Sequence, residues 1–175
     1  MKKNGFTLLE ILVVISIIII LTGIVLLNYR TTGQQLAIQR AAFKLAADIR
    51  RTQEMAMSAK ELPGTGIPIG GYGVYLQNAN DISYLIYADT NPASGNEQYD
   101  AGGDTVVETI NLEQGVKISS VSPSSLSVNF KPPDPAIMLG GSAGNNEVII
   151  TLALIADTSK TKTIKVNKAG RIDIY

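Results

Sequence analysis

The pattern of apolar and polar positions divides the chain into three stretches. Residues 6–27 are apolar except for Thr7, Glu10, Ser16, Thr22 and Gly23. This predicts one helix of roughly 33 Å at ~1.5 Å per residue, which matches the hydrocarbon core of a bilayer. Over residues 34–61 the period stays helical but only one stripe is apolar: Ile38, Ala42, Leu45, Ile49, Ala56 and Ala59, interrupted by Thr52. The small alanines suit close packing of a sheet on the helix. The other side carries Arg40, Lys44, Asp48, Arg51, Glu54 and Ser58 and reads as a solvated face, with Lys44–Asp48 and Asp48–Arg51 one turn apart. A coiled-coil partner site is the alternative reading of the stripe. Pro63-Gly64 is expected to stop the helix.

Beyond Pro63 the period changes to alternation. Strands are predicted at 72–76, 82–87, 105–112, 116–121, 126–130, 148–156, 163–166 and 171–175, separated by Gly, Asn, Asp or Pro. Ile164 and Val166 alternate with polar neighbours, and after Lys168-Ala169-Gly170 the pattern resumes at Ile172 and Ile174, which predicts a terminal hairpin. A helix followed by a run of strands is an α+β layout. Residues 131–146, with Pro132-Pro133-Asp134-Pro135 and Gly140-Gly141-Ser142, are expected to form a mobile surface loop.

Lys2 and Lys3 precede the apolar run and are expected to stay in the cytoplasm, which sends everything after Arg30 across the membrane. No Ala-x-Ala site follows the long apolar stretch, so removal of the whole segment as a secretory signal is not expected. Glu10 is the anomaly inside the span. A carboxylate there costs about 2.5 to 3.5 kcal/mol on insertion scales and persists mainly when it is paired. Cutting after Gly5 would create an amine at Phe6, on this subunit or a neighbour, that could serve as its counter-ion. The plainer alternative is that Glu10 snorkels to the headgroups from an ordinary anchor.

The run Lys2-Lys3-Asn4-Gly5-Phe6-Thr7-Leu8-Leu9-Glu10, followed by apolar residues, resembles the class III leader of type IV pilins and pseudopilins. The resemblance implies that a prepilin peptidase cuts between Gly5 and Phe6, that the Phe6 amine is methylated, and that Glu10 aligns subunits during filament assembly. Leu27 and Ile19 stand where many relatives carry proline and glycine. The order of Tyr72-Gly73-Val74-Tyr75-Leu76, Tyr84-Leu85-Ile86-Tyr87-Ala88-Asp89, Tyr99-Asp100-Ala101-Gly102, Gly115-Val116-Lys117-Ile118 and Gly170-Arg171-Ile172 resembles minor pseudopilins of the GspH/FimT type. The implied fold is pilin-like: a long N-terminal transmembrane and amphipathic helix packed on an antiparallel, β-sandwich-like head. The expected division is a leader at 1–5, a transmembrane half-helix at 6–30, an amphipathic half at 31–62 and a head at 63–175.

Composition narrows the chemistry further. About 145 residues follow the span, enough for one ordinary core. There is no cysteine to staple the fold and no histidine to serve as base or metal ligand. Without a Ser-x-x-Lys pair ahead of a helix or a Gly-rich phosphate loop, catalysis is not expected and no catalytic residue or cofactor is assigned. Between Lys60 and Lys117 every charged residue is acidic. Asp89, Asn91, Glu97, Asp100 and Asp104 form an oxygen-rich loop of the kind Ca²⁺ takes, but Ala93 and Ser94 break the EF-hand spacing. A solvated acidic turn is the competing reading, and no metal site is assigned. The strip Lys160, Lys162, Lys165, Lys168 and Arg171 could meet phosphate, but Asp157 and Asp173 flank it and no aromatic interleaves with the lysines. A solubilising face that guards strand edges is preferred, and nucleic acid is disfavoured. The expected partners are the prepilin peptidase, other pilins or pseudopilins, the inner-membrane assembly platform and, before assembly, membrane lipid. The expected location is the inner membrane with the head outside the cytosol. The expected role is a minor, tip-proximal subunit of a type II secretion pseudopilus, with a minor pilin of a type IV pilus as the alternative. A third reading is a binding module on an uncleaved anchor.

Overall fold

The structure is a computed structural model. It describes residues 5–76, 81–91, 95–123, 127–131, 136–140 and 144–175, without the side chains of 26–31 and 136. The leader residues before Gly5, including Lys2 and Lys3, lie outside them, as does the side chain of Leu27. One helix, α1 (Leu8–Met57), precedes nine strands: β1 (Tyr72–Leu76), β2 (Ser83–Ala88), β3 (Thr105–Asn111), β4 (Val116–Ser122), β5 (Ser127–Lys131), β6 (Ala136–Leu139), β7 (Glu147–Leu154), β8 (Thr161–Asn167) and β9 (Ile172–Ile174). The chain divides into two compact units, Met1–Leu36 and Ala37–Tyr175.

The first unit is the start of α1. Residues Leu8–Val25 are long and apolar enough to cross a membrane. Ser16 answers the demand that apolar surroundings make of a polar group: its hydroxyl donates to the Leu12 carbonyl at 2.9 Å.

In the second unit the rest of α1 packs against two antiparallel sheets. One sheet has the order β3-β2-β1-β5-β6 and the other β4-β7-β8-β9. The predicted stripe is buried except at Ala59, which lies past the end of α1: Ile38, Ala42, Leu45, Ile49 and Ala56 lie in a single core with Val74, Ile86, Val128 and Phe130 of the first sheet and Ile150, Leu152, Ile164 and Val166 of the second. Thr52, which interrupts the stripe, is fully buried at no unmet cost because its hydroxyl donates to the Asp48 carbonyl at 2.7 Å.

The helix ends earlier than Pro63-Gly64 suggested. It stops at Met57, and Ala59 takes a left-handed φ of 48°. The Lys60 N–H bonds the Met55 carbonyl and the Ala59 N–H bonds the Ala56 carbonyl, a Schellman closure that uses alanine where glycine is usual. The terminal hairpin is present, with Val166 opposite Ile172 and Ile164 opposite Ile174. One expectation is overturned inside 131–146: β6 forms there and pairs with β5, Phe130 opposite Ile137 and Val128 opposite Leu139. The alternation in Ala136-Ile137-Met138-Leu139 is only four residues long and sits among prolines and glycines, so it is masked in the sequence by its flanks.

The reading of Asp48 as part of a solvated face is also corrected. Its carboxylate, 13% exposed, accepts the Tyr84 hydroxyl at 2.6 Å and lies 3.8 Å from Arg51. Arg51 in turn bonds Glu108 of β3 at 2.7 Å, so this side of α1 is tied to the first sheet by polar contacts as well as apolar ones. Burial, then the hydrogen bond to Asp48, push the Tyr84 phenol far above its usual range, so it stays protonated and donating. Tyr84→Phe leaves a mostly buried carboxylate oxygen without this donor, and a loss of about 1 to 3 kcal/mol is expected in chemical denaturation. An unchanged midpoint would mean that water replaces the hydroxyl.

Candidate functional site

The candidate site is the chain's N-terminal end and the first turn of α1. Gly5 and Phe6 lie just before the helix, and the Phe6 ring is 80% exposed. A Cβ built on Gly5 would meet nothing within 4 Å, and its backbone is not in the left-handed region. The described structure therefore has no steric use for glycine at this position.

Thr7 begins the helix. Its side-chain oxygen accepts the Glu10 N–H at 3.2 Å, and its carbonyl accepts the N–H groups of Glu10 and Ile11 at 3.1 and 3.3 Å. Thr7 is thus the N-cap and Glu10 the third helical residue, the spacing of a capping box. A carboxylate in the first turn also faces the positive end of the helix dipole. The signal Thr7-x-x-Glu10 stands in the sequence and gives Glu10 a local reason to be where it is. The structure brings Gly5, Phe6 and Glu10 within six residues of one another at one exposed helix end, and no contact buries any of them.

The acidic loop is organised differently from either sequence reading. Asp89 and Asp104 are buried rather than solvated. The Asp104 carboxylate accepts the N–H groups of Thr90, Asn91 and Asp100 at 2.9, 3.0 and 2.8 Å, and Asp89 accepts those of Asn96 and Glu97. Asp100 accepts from the Asn96 amide at 2.6 Å, and Glu97 pairs with Lys131 at 2.9 Å. These oxygens hold backbone in place. Among the described residues no three acidic side chains are grouped to hold a metal ion, and Ala93 and Ser94 lie outside those residues. In the lysine strip, Lys160 sits 4.0 Å from Asp157 and Arg171 2.8 Å from Asp173. The Lys165 ammonium lies 5.5 Å from the centre of the Tyr175 ring, so an aromatic does join the strip in space. The Ser159 hydroxyl and N–H hold the Asp157 carboxyl below its usual range.

Residues 1–26 match the prokaryotic N-terminal methylation motif. Among solved structures, the type IV minor pilin FimU of Pseudomonas aeruginosa is similar in fold at 13% identity, with a TM-score of 0.51 over 79% of this chain and 87% of FimU. The minor pseudopilin EpsH of the Vibrio cholerae type 2 secretion system also matches, at 9% identity and a TM-score of 0.44 over 79% of this chain and 96% of EpsH. No curated protein matches in sequence. The N-terminal methylation motif and a pilin-like fold thus occur together in this chain.

Proposed function

We propose that this chain is a minor structural subunit of a filament built by the type IV pilin route. Its leader is trimmed between Gly5 and Phe6, the Phe6 amine is methylated, and Glu10 pairs with such an amine as the apolar helix packs among its neighbours. The observation that carries this reading is the pairing of an N-terminal methylation motif over residues 1–26 with a pilin-like fold in one chain. Two features support the residue roles. Gly5 meets no steric demand in the fold, which suits a glycine kept for a peptidase's narrow cleft. Phe6 and Glu10 are exposed at one helix end, where an enzyme and then a neighbouring subunit can reach them.

Before assembly the Leu8–Val25 segment anchors the chain in the inner membrane, with Lys2 and Lys3 on the cytoplasmic side and the head outside. The machine is a type II secretion system in the first reading, in which the fibre supports protein export. A type IV pilus is the second, favoured by the fold of FimU. In both, the chain acts by assembly and the chemistry belongs to its partners, the peptidase and the inner-membrane platform.

Intact-mass analysis of the full chain, expressed with and without a prepilin peptidase, tests the reading. Loss of Met1 to Gly5 and one added methyl are expected only when the peptidase is present. An untrimmed N-terminus under both conditions would leave a plain membrane-anchored domain and remove the assigned role of Glu10.

A further inference from the structure

The outer face of the five-stranded sheet holds a buried carboxylate with too few partners. Tyr87 of β2, Gly73 of β1 and Asn129 of β5 stand in one row across the sheet. Asp89, two residues beyond Tyr87, falls in the next row of the same face. Residues 95–104 run over this face: the Tyr99 ring lies 4.6 Å from Tyr75 and 5.3 Å from Tyr87, and the Tyr99 N–H donates to the Ser127 hydroxyl at 2.9 Å. Beneath them Tyr87, Asp89 and Asn129 are fully buried.

Asp89 Oδ2 accepts the N–H groups of Asn96 and Glu97 at 3.0 and 2.6 Å, which fastens the segment to the sheet. Among the described residues its other oxygen, Oδ1, is buried without a donor, and so is Asn129 Oδ1 in the adjoining row. Glycines close in around the carboxyl: a Cβ on Gly70 would lie 2.3 Å from Asp89 Cγ, and one on Gly95 3.0 Å from Oδ2. The charged and titratable groups nearby do not help. Asp104 and Asp100 of the segment carry the same sign, Glu97 is taken by Lys131 of β5, and Tyr87 of β2 is a neutral phenol. A buried anionic oxygen without a donor is costly. One proton on Asp89 Oδ1 removes the charge that burial penalises.

From this geometry we infer that residues 95–104 form an acid-tightened latch, held closed over the Tyr75–Tyr87–Asn129 face when Asp89 carries a proton and loosened as Asp89 ionises. The direction of its titration agrees. Burial foremost, then the Asp104 and Asp100 charges, raise the Asp89 carboxyl above the ordinary 3.8, against the N–H groups of Glu97 and Asn96 that lower it. Because the folded value is raised, the extra stabilisation is fully present below the ordinary carboxylate value and is lost as pH rises through the folded one.

Hydrogen exchange at the amides of Asn96, Glu97 and Tyr99, measured as protection factors on the full chain in detergent micelles from pH 4 to pH 8, tests the latch. Protection is expected to rise severalfold from the neutral to the acid end, as the proton on Asp89 closes the latch. Asp89→Asn, an uncharged isostere that keeps a donor at this position, is expected to hold the acid-side protection at every pH. A flat wild-type profile overturns the inference by itself, even if the variant fails to fold. So does an Asp89→Asn profile looser than wild type at neutral pH, which would make the carboxylate the clip. Tightening by CaCl₂ at neutral pH without any tightening by acid would assign the orphan oxygens to a cation instead.

Discussion

Glu10→Gln is expected to abolish filament assembly while leaving the chain inserted, helical and trimmed after Gly5. A helix-start position and the proposed pairing with an amine coincide at this residue. As the third residue after the Thr7 N-cap, Glu10 stands at the capping-box position, which glutamine fills as well as glutamate. The helix start should therefore survive. Glutamine also lowers the cost of placing a polar side chain in an apolar span, so insertion is not impaired. What it cannot do is pair with an ammonium. In a site excluded from water, removing one partner of a charge pair strands the other, at a cost of about 3 to 5 kcal/mol, enough to reduce assembly by more than about a hundredfold. The measurement is the yield of filaments sheared from cells expressing the complete machine, with intact mass and helicity of the variant checked in parallel. Glu10→Ala, which removes the cap partner as well, should add a weakened helix start to the same defect. If the glutamine variant assembles at the parental level, Glu10 is a helix cap and the pairing with the Phe6 amine is wrong.

The long-range parts of this fold that were legible in the sequence are those with a strong period. The stripe from Ile38 through Leu45 and Ile49 to Ala56 is buried as its spacing required, and eight stretches of alternation fall on eight of the nine strands to within about two residues at each end. The contacts that the period did not reveal are polar and non-local. Asp48 has the sequence surroundings of a solvated helix face, with a lysine one turn before it and an arginine one turn after, and only the position of Tyr84 thirty-six residues later makes it a partly buried acceptor. Asp89 and Asp104 have the spacing of a surface turn, and their burial follows from Tyr99 returning to stack on β1 and β2. A carboxylate that accepts backbone N–H groups looks in sequence like one that faces water, since the donors carry no residue identity. At the N-terminal site the balance is reversed. Gly5, Phe6, Thr7 and Glu10 are consecutive or nearly so, their meaning is local, and the Thr7-x-x-Glu10 cap was there to be read.

The Gly71 position offers the largest expected effect on stability from one added methyl group. Gly71 sits at φ +88°, the left-handed region, immediately before β1, and its own N–H bonds the Pro68 carbonyl while its carbonyl accepts the Asp89 N–H. Alanine there would have to hold a conformation that L residues pay about 1 to 2 kcal/mol to adopt. The second cost is steric and greater. A Cβ on Gly71 would lie 2.1 Å from the Phe130 carbonyl oxygen and 2.9 Å from its carbonyl carbon, both backbone atoms of β5. Backbone in the middle of a sheet cannot turn aside as a side chain can, and β1 is the central strand of the order β3-β2-β1-β5-β6, so moving it away from β5 disturbs both halves of the sheet. Gly71→Ala is therefore expected to destabilise the protein by about 4 kcal/mol or more, at the severe end for a single substitution. Gly64 provides the internal comparison, since its φ is +82° but a Cβ there meets nothing within 4 Å. Gly64→Ala should show the conformational cost alone, about 1 to 2 kcal/mol. Chemical denaturation of both variants of the full chain in detergent, followed by circular dichroism of the β signal, reads the difference directly. Equal losses would mean that β1 and β5 can separate at little cost, and that the close approach at Phe130 does not fix the centre of the sheet.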